Sequence, residues 1–240
     1  MASSTFFTSS TPLEHPAEQI ELKSYLKNLT ESQVLEFFEV ADCVKWIREL
    51  SAQRVALQFP DGFLIFARRI AVALEAETLA KTFVLADTSY RSCCIDEVAA
   101  AHATCDALIH FGEACLSAPT RNIPVRYVLG KMPIDLQHLK STIDAQNLAP
   151  NSTVILTDSI YSHLETQITE IFGANSKMAQ ISNDASSSYL GRATWDFQEE
   201  NLIFIGANDT PLLPLWILSY PNFTQVYHYD PAEKSMTQDR

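Results

Sequence analysis

Apolar residues recur at every third or fourth position between Glu31 and Leu50, and this spacing predicts an amphipathic helix. Downstream, short apolar runs rich in β-branched and aromatic residues alternate with helix-like segments. The first four runs begin at Val55, Thr82, Ala107 and Val125. Strands alternating with helices are typical of a parallel sheet built from βαβ units. Runs that are apolar throughout suit strands covered on both faces.

The same pattern recurs in the second half of the chain. Four further apolar runs begin at Val154, Lys177, Leu202 and Gln225. They follow their first-half counterparts at offsets of 99, 95, 95 and 100 residues. This recurrence predicts an α/β fold of two tandem Rossmann-like domains, each with a parallel four-stranded sheet. The alternative is that both halves belong to one doubly wound sheet.

The pattern also predicts the limits of the domains. We expect a flexible N-terminal tail at 1–30, a first α/β domain at 31–131, a second at 132–231 and a polar tail at 232–240. The N-terminus has neither a basic segment nor a long apolar segment, so it does not resemble a signal peptide. In the second half, the polar stretch that begins at Ser182 is predicted to be a loop.

Composition and charge narrow the classes of function. The 240 residues carry a formal net charge of −12, which argues against non-specific binding to nucleic acid or to an anionic membrane. No apolar run approaches the roughly 18 residues that a membrane helix needs. We therefore expect a cytoplasmic protein. In a reducing compartment, five cysteines suit metal or redox chemistry better than disulfides.

Three of the cysteines follow predicted strands. Cys93 and Cys94 lie in the loop after the second strand, and Cys115 follows the third strand closely. Ligands bind at the carboxyl ends of parallel strands, so neighbouring strands would bring these thiols to one site. Thiolates are the usual ligands of iron–sulfur clusters. Burial as structural cysteines is the alternative for all three, and the better interpretation of Cys43 and Cys105.

Other polar residues at strand ends have structural interpretations. His110 could act as a base for a Cys115 nucleophile in a cysteine hydrolase, but anchoring a loop is the more usual role of such a histidine. Asp158, Asn208 and Asp209 are plausible helix caps. No GxGxxG, P-loop or GxSxG motif follows any predicted strand, so the sequence does not support a nucleotide site or a nucleophile elbow of those kinds.

The stretch LADTSYRSCCIDEVAAAHATCDALIHFGEACLSAP resembles the diphthamide biosynthesis protein 1/protein 2 family. VALQFPDG before it, LGR-x-x-W-D around Gly191, FIG at Phe204 and YDP at Tyr229 extend the resemblance over both halves. The family's fold consists of three similar α/β domains. The resemblance implies that the tandem corresponds to the first two and that the third domain is missing.

The resemblance implies a 4Fe–4S cluster held by three cysteines. The corresponding residues are Cys94 and Cys115, with Cys93 as a substitute for Cys94, and the third ligand would lie beyond Arg240. The family has glycine where this chain has Ala86 and Arg91. Either residue could alter a loop beside the cluster, because glycine permits close backbone approach.

The resemblance also implies a function. The chain would be the iron–sulfur subunit of a heterodimeric 2-(3-amino-3-carboxypropyl)histidine synthase, paired with diphthamide biosynthesis protein 1 as catalytic subunit. That complex cleaves S-adenosylmethionine by radical chemistry and modifies a histidine of elongation factor 2. Diphthamide biosynthesis protein 3 would donate electrons, and this chain would assist reduction without being catalytic alone. The alternative is a truncated, non-redox fragment that binds the catalytic subunit without holding a cluster.

Overall fold

The structure is a computed structural model, and it describes residues 25–85, 93–114, 116, 122–146, 152–173, 176–182, 184, 186–208 and 210–238. The helices are α1 (Glu31–Phe37), α2 (Val40–Leu50), α3 (Leu64–Glu77), α4 (Glu97–His102), α5 (Leu136–Gln146), α6 (Glu165–Phe172) and α7 (Leu212–Ser219). The first-half strands are β1 (Arg54–Gln58), β2 (Lys81–Val84), β3 (Ala107–Phe111) and β4 (Val125–Val128). The second-half strands are β5 (Thr153–Thr157), β6 (Lys177–Met178), β7 (Ser188–Tyr189), β8 (Arg192–Ala193), β9 (Asn201–Ile205), β10 (Gln225–Asp230) and β11 (Ser235–Gln238).

Two separate sheets form, and they share one strand order. The first runs β2-β1-β3-β4, with all strands parallel. The parallel strands of the second run β10-β9-β5-β6, which is the same order seen from the other side. The predicted α/β class is therefore confirmed, and the repeat that the strand spacing indicates is present in the topology.

The second sheet has a fifth strand that the sequence pattern did not indicate. Within the predicted polar tail at 232–240, Ser235–Gln238 forms β11 and pairs antiparallel with β10. The prediction of a four-stranded second sheet is therefore corrected to four parallel strands plus one antiparallel edge strand. The polar composition of β11 suits an edge, where half of the side chains face water.

The first sheet has both faces covered, as its continuous apolarity predicts. On one face, α1, α2 and α3 bury a cluster that includes Phe38, Ile47, Leu57 and Ile70. On the other, the short helix α4 contributes Ala100 to a smaller cluster with Ala56 and Leu108. All five residues of β3 are buried, and β1 is buried apart from its first residue.

The predicted single helix from Glu31 to Leu50 is two helices. A capping box of Thr30 and Gln33 begins α1. Glu39 then adopts a left-handed conformation, with φ of 49°, and separates α1 from α2. Its carboxylate forms ion pairs with Arg126 at 3.2 Å and Lys131 at 3.4 Å. These contacts come from β4 and the loop after it, so spacing within the helix could not reveal them.

Two further predictions need correction. Leu26, within the predicted flexible tail, is only 1% exposed and packs in the first core cluster. The stretch predicted as a loop from Ser182 contains the β7–β8 hairpin. No helix in the described parts of the chain is long and apolar enough to cross a membrane.

Candidate functional site

The carboxyl ends of β1 and β3 lie side by side at one edge of the first sheet. Gln58, the last residue of β1, is in register with His110 of β3. The loop that carries Cys93 and Cys94 passes this edge, and the two sulfur atoms are 3.9 Å apart. The expectation that the second and third strands are neighbours is wrong, because β1 lies between β2 and β3. The loop after β2 instead contacts the end of β1, through Gln58.

The Gln58 side chain connects β1 to the cysteine loop. Its Nε2 donates to the main-chain oxygen of Cys94 at 2.7 Å, and its Oε1 accepts from the main-chain N–H of Asp96 at 3.0 Å. The Asp96 carboxylate then accepts from the N–H of Ala99 at 2.8 Å and begins α4. Gln58 lies within VALQFPDG, which carries part of the family resemblance, but the sequence analysis did not single it out as a site residue.

A cavity of about 200 Å³ lies where the two halves meet. Its lining comes from the cysteine loop, the end of β3, the end of β5, the β7–β8 hairpin and the start of α7. The residues are Cys93, Glu113, Ala114, Asp158, Ser159, Leu190, Arg192, Pro211, Leu212 and Leu215. The lining thus combines four polar or charged side chains and one thiol with apolar Ala, Leu and Pro residues, which is a common composition for a ligand site.

The predicted cysteines differ in their relation to the cavity. Cys93 lines the cavity, whereas Cys94 is not among its lining residues. Cys115 lies outside the described residues, although the preceding residue, Ala114, lines the cavity and is 4% exposed. Ala86 and Arg91 also lie outside the described residues.

Asp158 follows β5 and is buried at the cavity. Its carboxylate accepts from the N–H of Ala207 at 3.0 Å and from the hydroxyl of Thr210 at 3.0 Å. Burial raises the pKa of Asp158 to about 7, and the nearby charge of Glu113 adds to the rise. Asp158 does precede a short helix, as a cap would, but its side chain makes no hydrogen bond to that helix, so the predicted capping role is wrong. Instead, Asp158 ties β5 to the segment after β9.

Arg192 brings a buried guanidinium to the same cavity. It is 2% exposed, and its Nη2 donates to the main-chain oxygen of Thr157 at 2.9 Å. Its Nε is buried and has no hydrogen-bond partner among the described residues. Burial lowers the pKa of Arg192, while the charges of Asp158 and Glu165 oppose this effect. Its position in LGR-x-x-W-D was the only signal available from sequence.

The remaining candidates have structural roles. His110 is fully buried, and its Nε2 donates to the main-chain oxygen of Glu113 at 2.8 Å, which suits a residue that anchors a loop. Cys43 and Cys105 are buried. Burial raises the pKa of Cys43 to about 12 and also raises the pKa of Cys105, so neither thiol favours the thiolate form. Asn208 donates to the carboxylate of Asp230 at 3.0 Å, and Asp209 lies outside the described residues.

An iron–sulfur cluster needs several side-chain ligands, usually thiolates, close to one another. Across the described ranges, no group of three or more His, Cys, Asp or Glu side chains is arranged to bind a metal ion. What the described residues do supply is a thiol at a cavity that also contains a buried cation. A soft thiol ligand lining the same cavity as a buried guanidinium fits an iron–sulfur group in chemistry. The described part of the chain thus fits one side of such a site.

These features define a class: a tandem parallel α/β protein with a pair of adjacent cysteines, one of which lines a cavity between its halves. A profile of the diphthamide synthesis protein family matches residues 59–240. The chain is 41% identical to 2-(3-amino-3-carboxypropyl)histidine synthase subunit 2 of Caenorhabditis elegans over 99% of its own length and 55% of the relative's. The same subunit of Xenopus laevis is 33% identical over 82% of this chain and 40% of the relative. The chain belongs to the diphthamide synthesis family.

A solved structure supports the fold. Dph2 from Pyrococcus horikoshii, crystallised with a 4Fe–4S cluster, superposes with a TM-score of 0.65 at 21% identity. The match covers 84% of this chain and 60% of that one. The chain therefore spans about half the length of the curated relatives described above and somewhat more of the archaeal protein.

Proposed function

We propose that this chain is the iron–sulfur subunit of a 2-(3-amino-3-carboxypropyl)histidine synthase in the cytoplasm. It would act in the first step of diphthamide formation and assist reduction of the catalytic subunit's 4Fe–4S cluster. The observation that carries this proposal is the Cys93 thiol at a cavity between the two halves, in a chain that matches the nematode subunit 2 along nearly its whole length.

The proposed ligands are Cys115 and one thiol of the Cys93–Cys94 pair. The sequence pattern favours Cys94, whereas the position of Cys93 at the cavity supports Cys93. When bound, a 4Fe–4S cluster supplies one-electron transfer. Arg192 lines the same cavity as Cys93, and its buried positive charge would favour thiolate over thiol there, whereas the carboxyl groups of Glu113 and Asp158 would oppose this effect.

The proposed partners follow from the same assignment. Diphthamide biosynthesis protein 1 would be the catalytic subunit of a heterodimer that cleaves S-adenosylmethionine. Diphthamide biosynthesis protein 3 would supply electrons, and elongation factor 2 would be the substrate. This chain would not be catalytic alone. The net charge of −12 gives no support for a nucleic-acid partner.

A second candidate is a non-redox fragment that binds the catalytic subunit and holds no cluster. One observation favours it: the described residues contain no group of three donors arranged to bind a metal ion. Both candidates keep the binding surface for the catalytic subunit, so iron content distinguishes them.

The test is anaerobic reconstitution with iron and sulfide, followed by counting iron per chain with and without the catalytic subunit. Cys93→Ser, Cys94→Ser and Cys115→Ser are compared with Cys105→Ser, which removes a thiol away from the cavity. Cluster-level iron that is lost in Cys115→Ser and in one of the paired variants, but kept in Cys105→Ser, supports the iron–sulfur subunit. Iron no higher than the catalytic subunit holds alone supports the non-redox fragment.

A further inference from the structure

The side-chain amide of Gln58 makes two hydrogen bonds to the loop that carries Cys93 and Cys94, one as donor and one as acceptor. One end donates to the oxygen of Cys94, and the other accepts from the N–H of Asp96. Gln58 is 2% exposed, although glutamine is mostly a surface residue. A buried amide must be hydrogen-bonded, because an unmade bond there costs the full desolvation of the group.

We infer that Gln58 is a positioning residue that sets which of the two adjacent thiols faces the cavity. Cys93 lies in a turn and Cys94 in a bend, so the directions of their two side chains follow from the backbone conformation of this short segment. Gln58 fixes the backbone directly after the pair, at the oxygen of Cys94 and the N–H of Asp96. It also fixes the start of α4, since Asp96, which it holds, caps that helix.

Gln58 is held by a central strand of the first sheet. Gln58 ends β1, which is a central strand with β2 on one side and β3 on the other. A side chain on a central strand transmits the geometry of the sheet to the loop more reliably than a contact within the loop could. The role of the thiols as cluster ligands rests on the proposed function. The effect of Gln58 on the orientation of Cys93 and Cys94 does not, because it can be measured in the chain without a cluster.

The test compares Gln58→Met and Gln58→Glu with the unmodified chain. Methionine has similar length and forms neither hydrogen bond. Glutamate retains the acceptor for the N–H of Asp96 but loses the donor to the oxygen of Cys94. The matched control is Asp106→Ala, which removes two hydrogen bonds, from Gln53 and Arg54, at the opposite end of β1.

The first readout is the ratio of alkylation rates of Cys93 and Cys94 in the cluster-free chain, resolved by mass spectrometry. We expect Gln58→Met, which forms neither hydrogen bond, to change this ratio by at least about fivefold, the factor that corresponds to about 1 kcal/mol for a single net hydrogen bond. Gln58→Glu should also change the ratio, because a buried carboxylate oxygen would face the oxygen of Cys94 and repel it, and Asp106→Ala should leave the ratio unchanged. A folded Gln58→Met or Gln58→Glu chain with the unmodified ratio would overturn the inference.

The second readout is the midpoint potential and paramagnetic spectrum of the reconstituted heterodimer. A changed ratio together with a shifted potential supports the full inference. If the unmodified chain takes up no iron, the proposed function fails, while the alkylation ratio still decides the role of Gln58. If iron is held but both readouts are unchanged in Gln58→Met, the positioning role is wrong and the proposed function stands.

Discussion

The carboxylate of Asp158 accepts a hydrogen bond from the main-chain N–H of Ala207 at 3.0 Å, so one side chain joins the ends of β5 and β9. The same carboxylate accepts from Thr210 and lines the cavity that contains Cys93. The second sheet thus presents a buried, titratable group to the thiol-bearing loop of the first. The cavity depends on both halves, and its charge state depends on pH.

The raised pKa of Asp158 predicts that its contribution to stability falls as pH rises. Below pH 3.8 the carboxyl is protonated in both folded and unfolded chains. Between there and about pH 7 only the unfolded chain has lost the proton, so the folded state is penalised by about 1.4 kcal/mol per pH unit. Above about pH 7 the loss is complete. Asp158→Asn should remove this dependence, since an amide can still accept from Ala207 and donate to Thr210.

The measurement is the free energy of unfolding in urea, followed by circular dichroism at intervals between pH 5 and pH 8. Asp184→Asn is the control, because hydrogen bonds from Ser186 and Ser187 lower the pKa of Asp184 to about 2, well outside this range. We expect the control to keep the slope of the unmodified chain. Identical slopes for Asp158→Asn and the unmodified chain would show that Asp158 does not titrate in this range.

Gly206 is predicted to be intolerant of any side chain. A Cβ atom at this position would overlap Oδ2 of Asp158 and the ring of Phe204. Both neighbours are buried and hydrogen-bonded or packed, so neither can yield cheaply. We expect Gly206→Ala to lower the free energy of unfolding by about 3 kcal/mol, the upper range for overpacking a core.

Gly173→Ala is the matched control for this substitution. Among the described residues other than its chain neighbours, no atom lies within 4 Å of a Cβ there, so the positive φ of 90° is what opposes the change. With ψ of 169°, Gly173 lies in a backbone region that is essentially restricted to glycine, and the conformational cost there is about 1–3 kcal/mol. Chemical denaturation should therefore show a loss for Gly206→Ala at least as large as that for Gly173→Ala. A smaller loss for Gly206→Ala would mean that the segment after β9 shifts to accommodate the methyl group.

The sequence predicted features that depend on local patterns and missed those that depend on distant contacts. Continuous apolarity identified β1 and β3, because strands covered on both faces leave no polar position. The break at Glu39 could not be predicted, since its ion-pair partners, Arg126 and Lys131, come from a distant part of the chain.

The candidate site shows the same division. Adjacent cysteines after a predicted strand are visible as a motif, so the sequence located their loop. Arg192 is a charged residue in a polar stretch, and nothing local indicates that the β7–β8 hairpin buries it against Thr157. Gln58 and Asp158 likewise acquire their roles only when β1 and β5 are placed beside the segments that they hold.

Strand β11 is predicted to stabilise the second sheet despite its polar composition. It pairs with β10 at four register positions, and Met236 packs against the core cluster that contains Tyr229. Lys234, which precedes it, forms an ion pair with Asp135 at 2.6 Å. A chain that ends at Pro231 should unfold with about 2 kcal/mol less free energy, because it loses a partly buried methionine. It should also aggregate more readily, since the backbone of β10 becomes an exposed edge.

Thermal unfolding and light scattering test both effects against a chain that ends at Gln238, which retains the strand. If the two chains melt together and scatter equally, β11 contributes nothing to the stability of the sheet or to the protection of its edge.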